Sequence, residues 1–177
     1  MRLPPLPADR WNDDAVQQAL AVMLPEERRN PEQASNILST FVNHPALTKA
    51  FLVFNVHLLF NSTLPARERE LAILRVAHRT NSAYEWAQHV KIGIREGLTE
   101  AEIADVQRAH AEDAFDSTIL TGVDELMDNH QLSDSTWAAL GERFDDRQRM
   151  DFVFTVGCYI TVAIALNTFG IELEQER

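Results

Sequence analysis

Apolar residues recur at intervals of three and four along nearly the whole 177-residue chain, the spacing of helices that each bury one face. No hairpin dipeptide of the Asn-Gly or Asp-Gly kind interrupts the pattern. Asn12 is placed to cap a helix running to about Met23, and Asn30-Pro31 to open another reaching about Val42. His44-Pro45 starts a third, in which Phe51, Val53, Phe54, Leu58 and Leu59 fill most of the circumference. Pro65 opens a fourth, with Leu71, Ile73, Leu74, Val76 and Ala77 apolar. Ser82 followed by Glu85, and Thr99 followed by Glu102, each read as a capping box, and Gly97 closes the helix between them. Further helices are expected near 117–129, 134–143 and 146–170, with Ser133 and Asp145 or Asp146 as caps. The expected class is therefore all-α, helix packed on helix. Residues 1–11 form a proline-rich extended segment in this reading, and 12–177 a single domain.

Composition changes the picture at two places. The stretch from Phe152 to Ile171 carries no charge and is long enough to span a bilayer. Thr155, Gly157, Tyr159, Thr161, Asn167 and Gly170 weaken that reading, so a central helix covered by the fold or by other subunits is expected, without a membrane partner. A net charge of -11 argues against nucleic acid, since binding phosphates takes clustered lysine and arginine. The single cysteine, Cys158, excludes an intramolecular disulfide and a multi-cysteine zinc site, and its apolar surroundings favour an inert thiol. The N-terminus lacks a signal-peptide core, so a cytoplasmic location is expected.

Candidate chemistry gathers in one place. Ser82, Glu85 and His89 are three and four residues apart, so they project from one helix face. A carboxylate one turn before an imidazole can orient the ring and select its tautomer. Glu70 lies on the preceding helix, with Leu74 and Ala77 on its side, which turns it toward the core, where a carboxylate needs a partner. The plain alternative is a solvated Glu85–His89 surface pair worth about 0.3 kcal/mol, with Ser82 as a cap. Tyr84, Ser82, His57 and Arg75 are the candidates for contact with a small-molecule substrate. For His57 the rival role is a hydrogen-bonded core histidine, and for Arg67, Arg75 and Arg79 a solvated helix surface. No second histidine stands at a zinc-binding spacing, so neither metal nor cofactor is expected.

Three blocks in order resemble the carboxymuconolactone decarboxylase family, which includes the alkyl hydroperoxidase D proteins: residues 64–77 (LPARERELAILRVA), 84–89 (YEWAQH) and 97–103 (GLTEAEI). The resemblance implies an alkyl hydroperoxidase D-like domain of about six to eight helices, assembled as a homotrimer or homohexamer. Peroxidase members carry Cys-x-x-Cys-x-x-x-His preceded by a glutamate. The matching positions here are Ser82, Glu85 and His89, with Glu70 upstream, so both thiols are absent and a dithiol cycle does not carry over. The decarboxylase branch shares Glu85 and His89. It implies cofactor-free acid/base chemistry on a small carbonyl or carboxylate compound, with His89, Glu85 and Glu70 catalytic. In that reading a nearby second glutamate raises one carboxyl pKa by repulsion. An antioxidant protein of the alkyl hydroperoxidase D kind, or a non-catalytic ligand-binding or scaffold protein, are the alternatives.

Overall fold

The computed structural model describes residues 1–108 and 110–174, and among these there is no strand. Nine α-helices follow in order: α1 Asp14–Leu20, α2 Asn36–Phe41, α3 Pro45–Val56, α4 Ala66–Arg79, α5 Ala83–Arg95, α6 Glu100–Arg108, α7 Ala114–Asn129, α8 Asp134–Leu140 and α9 Asp146–Phe169. The class is all-α, as the periodicity indicates. The count exceeds six to eight because α1, α2 and α8 are only six or seven residues long.

Local chemistry explains most boundaries. Ser133 accepts from the Thr136 N–H at the start of α8. Asp113 accepts from the Phe115 and Asp116 N–H groups, opening α7 three residues earlier than expected. The Thr99 box forms in both directions, Thr99 N–H to Glu102 at 2.7 Å and Glu102 N–H to the Thr99 hydroxyl at 3.2 Å. Gly97 follows α5 at φ +101, a conformation that favours glycine. Two expectations need correction. Asn30 accepts from the Glu32 and Gln33 N–H groups, yet this closes only a turn, and α2 begins at Asn36. Residues 1–11 are not wholly extended either: Ala8–Arg10 is a 3-10 turn, and Leu6 and Trp11 are buried, with the Trp11 indole donating to the Leu6 carbonyl.

The chain divides into two compact units, Met1–Asn61 with the residues from Leu166 on, and Ser62–Ala165. The first has its own core, in which Leu6, Trp11, Val16, Leu20, Leu38, Val42 and Leu52 pack together. In it α3 runs into a π-helical turn at His57–Asn61.

The second unit is built around α4. Every residue from Arg69 to Ala77 is buried, so α4 is enclosed on all sides by its neighbours α5, α6 and α7. Gly93 lets α5 approach it. A Cβ there would meet Leu98 at 2.9 Å and would lie 3.7 Å from the Glu70 Cβ. Helix α9 has the length and mean hydropathy, 1.8, of a membrane span, with 44% of that window buried. Phe152, Val156, Cys158, Tyr159 and Ala163 form its buried face, while Met150, Phe154 and Ile164 are exposed.

Candidate functional site

Glu70 and His89 meet between α4 and α5. The Glu70 side chain is fully buried, and its Oε2 lies 2.6 Å from the His89 Nδ1. Its other oxygen accepts from the Arg69 Nε at 3.1 Å. A carboxylate on an arginine accepts hydrogen bonds, so Nδ1 is the donor, and the neutral tautomer that fits has its lone pair on Nε2. The Tyr159 ring meets the His89 ring edge-on, with centroids 4.9 Å apart.

Glu85 is also buried, one turn before His89, but neither of its oxygens has a hydrogen-bond partner. The role expected for it, setting the tautomer of His89, falls to Glu70 instead. Burial pushes the Glu85 carboxyl well above its ordinary pKa, so desolvation rather than repulsion from Glu70 is the cause. Burial thus favours the protonated form of this carboxyl group over the charged one.

Ser82 departs from expectation in the same way. It precedes α5, but its ψ is 89°, against 156° for the working cap Ser133, and its hydroxyl makes no capping bond. The Ser82 Oγ is buried without a partner. The Ser82–Glu85 capping box therefore does not form, and the two residues that would have satisfied each other are both left open. Buried side chains of this kind are uncommon and call for an explanation.

The other candidates fall elsewhere. Tyr84 is buried beside Glu85 in the sequence. His57 is exposed at the end of α3 and belongs to the first unit. Arg75 is buried, not solvated: it holds Asp124 with two bonds of 2.8 Å and donates to the Val106 carbonyl. Arg79 shares Asp124 and reaches Asp128, and Arg67 grips Asp116 and Glu102. Burial alone would raise the Asp124 carboxyl, but the hydrogen bonds from Arg75 and Arg79 outweigh it and hold the pKa low. Among the described residues no group of three metal-binding side chains forms.

Three contributors escaped the sequence reading. Arg69 was adjacent to Glu70 and offered a signal that went unused. Gly93 continues the Ser82, Glu85, His89 face by four residues. Tyr159, far along the chain, offered none.

The model of the carboxymuconolactone decarboxylase family matches residues 45–126. No curated protein matches the chain in sequence. Solved structures do match in shape. The AhpD core of an uncharacterised peroxidase-related protein from Ralstonia eutropha JMP134 has a TM-score of 0.80 at 18% identity, over 98% of this chain and 92% of that one. A peroxidase-related protein from Silicibacter sp. TM1040 has a TM-score of 0.72 at 15% identity, covering 81% and 78%. A protein of unknown function from Agrobacterium tumefaciens, with a suggested AhpD antioxidant-defence role, gives 0.68 at 20% identity, covering 76% and 94%. At these identities the likeness establishes the fold.

Proposed function

We propose, from the match of the carboxymuconolactone decarboxylase family model to residues 45–126, that the chain is a cofactor-free acid/base enzyme of that family acting on a small carbonyl or carboxylate compound. The observation that carries the proposal is Glu85, a buried carboxyl without a partner one turn from a histidine held by a second glutamate. A structural residue in this position would be paired, because an unsatisfied buried group costs about 1–3 kcal/mol. Perturbed carboxyls of this sort mark functional sites.

The geometry supports a division of labour. Nε2 of His89 takes a proton from the carbon beside the carbonyl. The imidazolium that results is stabilised by Glu70, whose own charge Arg69 balances. Glu85 gives its proton to the carbonyl oxygen, so an enol leaves the first step and no free enolate accumulates. Return of a proton to carbon, with Glu85 reclaiming its own, closes the cycle. If the substrate bears a carboxylate on the reacting carbon, loss of carbon dioxide replaces the first deprotonation, and the proton delivered to carbon is drawn from solvent through His89.

The test is deuterium incorporation from heavy water into small ketones, 2-oxo acids and lactones, comparing wild type with His89→Ala and Glu85→Gln. Exchange that falls about a hundredfold or more in both variants supports the proposal. Exchange that is absent with every compound, or unchanged in the variants, refutes it and leaves the non-catalytic reading.

The rival antioxidant role draws on the likeness to AhpD-type structures. It lacks thiols at positions 82 and 85, and Cys158 is buried in α9. Peroxide consumption with a dithiol reductant, abolished by Cys158→Ser, would favour it. The proposal also includes a homotrimer or homohexamer, in which the exposed Met150, Phe154 and Ile164 of α9 would be covered, and sedimentation would show the assembly.

A further inference from the structure

An open groove of about 320 Å³ lies at the turn from α4 into α5. His78, Asn81, Ser82, Trp86 and Gln107 line it. The His78 and Trp86 rings stand 6.1 Å apart at 58°, a wall suited to the face or edge of a planar molecule. Asn81 and Gln107 bring side-chain amides, which donate as well as accept. Among the described residues that line the groove there is no arginine or lysine. Ser82 lines the groove and, three and seven residues before Glu85 and His89, lies on the helix face that carries them. Its hydroxyl is buried and unpartnered.

We infer that this groove admits an uncharged, planar carbonyl compound to the acid/base site and discriminates against a free carboxylate. Charge decides the matter. A carboxylate entering a desolvated site needs a cation, because burying it unpaired is costly. The candidates on α4 are committed: Arg67 to Asp116 and Glu102, Arg75 to Asp124, Arg79 to Asp124 and Asp128. Arg69 touches the cluster itself, but Glu70 opposes its charge there. The whole chain adds a net charge of -11. A neutral carbonyl oxygen asks only for a hydrogen-bond donor, which the unpartnered Ser82 hydroxyl can supply. The inference rests on the acid/base reading and narrows it. With no carboxylate to lose, the reaction is a proton shift beside a carbonyl, one C–H bond broken and one formed, rather than release of carbon dioxide.

Acetophenone and benzoate are a matched test pair, similar in shape and different in charge. Each is titrated into the full chain at pH 8, where ordinary imidazoles are neutral. Binding is read from the Trp86 indole and Gln107 side-chain signals in proton–nitrogen spectra. Acetophenone should saturate these signals and bind at least about tenfold more tightly than benzoate, about 1.4 kcal/mol. Ser82→Ala and Gln107→Ala should each weaken it several-fold. Because Gln107 is exposed, its variant serves even if Ser82→Ala disturbs the fold. Benzoate binding as well as acetophenone, shifts confined to other residues, or variants that bind like wild type would each overturn the inference. Binding without deuterium exchange would instead overturn the acid/base reading. Exchange confined to oxo acids, with benzoate preferred, would overturn the groove's selectivity alone.

Discussion

Helix α4 carries two polar surfaces, one partly exposed and one buried, that differ in how fully they are satisfied. Toward α6 and α7, the Arg67, Arg75 and Arg79 side chains find carboxylates at 2.5–2.8 Å. Toward α5, Glu70 is satisfied by Arg69 and His89, but Glu85 and Ser82 on the facing helix are not. A folded chain can close its polar groups when nothing else is asked of them, as the arginine surface demonstrates in the same unit. Groups left open a few residues away point to a ligand as the missing partner. On the proposed function the arginine surface is architecture and the α5 surface is chemistry, and substitutions on each should separate stability from activity.

The largest expected effect is on the architectural side. Asp124→Ala removes the shared partner of Arg75 and Arg79 and strands the buried Arg75 guanidinium. Removing one member of a buried pair costs about 3 kcal/mol or more. Denaturant unfolding should show that loss, while any exchange activity per folded molecule stays within a few-fold. A large activity loss in folded Asp124→Ala protein would break the division between the two surfaces.

The chemical surface should answer in reverse. His89→Ala should lower turnover about a hundredfold or more, since it removes the base, while unfolding changes much less than in Asp124→Ala. Its pairing with Glu70 means some stability is lost with the ring. The diagnostic is therefore the ratio of the two effects, read from exchange rates and melting in parallel. Equal destabilisation by both variants, with no specific activity loss in His89→Ala, would reduce the Glu70–His89 pair to another piece of architecture.

How much of this was legible in the chain depends on the range of the interactions. Helix type and order were readable because period and caps are local: Pro45, the Thr99–Glu102 box and Ser133 each act within one turn. Arg75 is buried rather than solvated, and the ion pairs of Arg67 and Arg79 were not legible, because the partners Asp116 and Asp124 lie 45 to 49 residues away, beyond any helical period. The face shared by Ser82, Glu85 and His89 was readable, and so was the inward turn of Glu70. Which carboxylate would hold the imidazole was not, since that depends on the approach of α5 that Gly93 permits. Two capping boxes with the same sequence signature ended differently. The backbone at Ser82, entering directly from Asn81 at φ 51, turns the hydroxyl away from the cap.

Glu85 offers a pH-dependent contrast. Its folded pKa is raised, so the folded state holds this proton more tightly than the unfolded chain does. Stability from this group is fully present below the ordinary glutamate value and is lost as pH rises through the folded pKa. Within that window the loss is about 1.4 kcal/mol per pH unit. Glu85→Gln cannot ionise, so melting curves from pH 4 to 9 should show the variant gaining on wild type with rising pH. Activity should follow the same proton, declining in wild type as Glu85 ionises. Parallel melting curves for the two proteins across the range would mean that Glu85 is solvated or paired in solution, and the open surface on α5 would lose its central member.

The smallest expected effect is the most specific. A serine that caps a helix costs about 1 kcal/mol when replaced by alanine, because an N–H of the first turn loses its acceptor. Ser133→Ala should show that cost, since its hydroxyl accepts from Thr136 and also donates to Glu125. Ser82→Ala should not. Its hydroxyl has no partner to lose, and removing an unsatisfied buried oxygen is neutral or slightly stabilising. Melting temperatures of the two variants, measured side by side without ligand, decide between the roles. A drop in Ser82→Ala matching that of Ser133→Ala would mean the capping box closes in solution, leaving Ser82 with a structural role and no open hydroxyl for a ligand. An unchanged or higher melting temperature, together with weakened acetophenone binding, would identify a serine that the fold does not need and the ligand does.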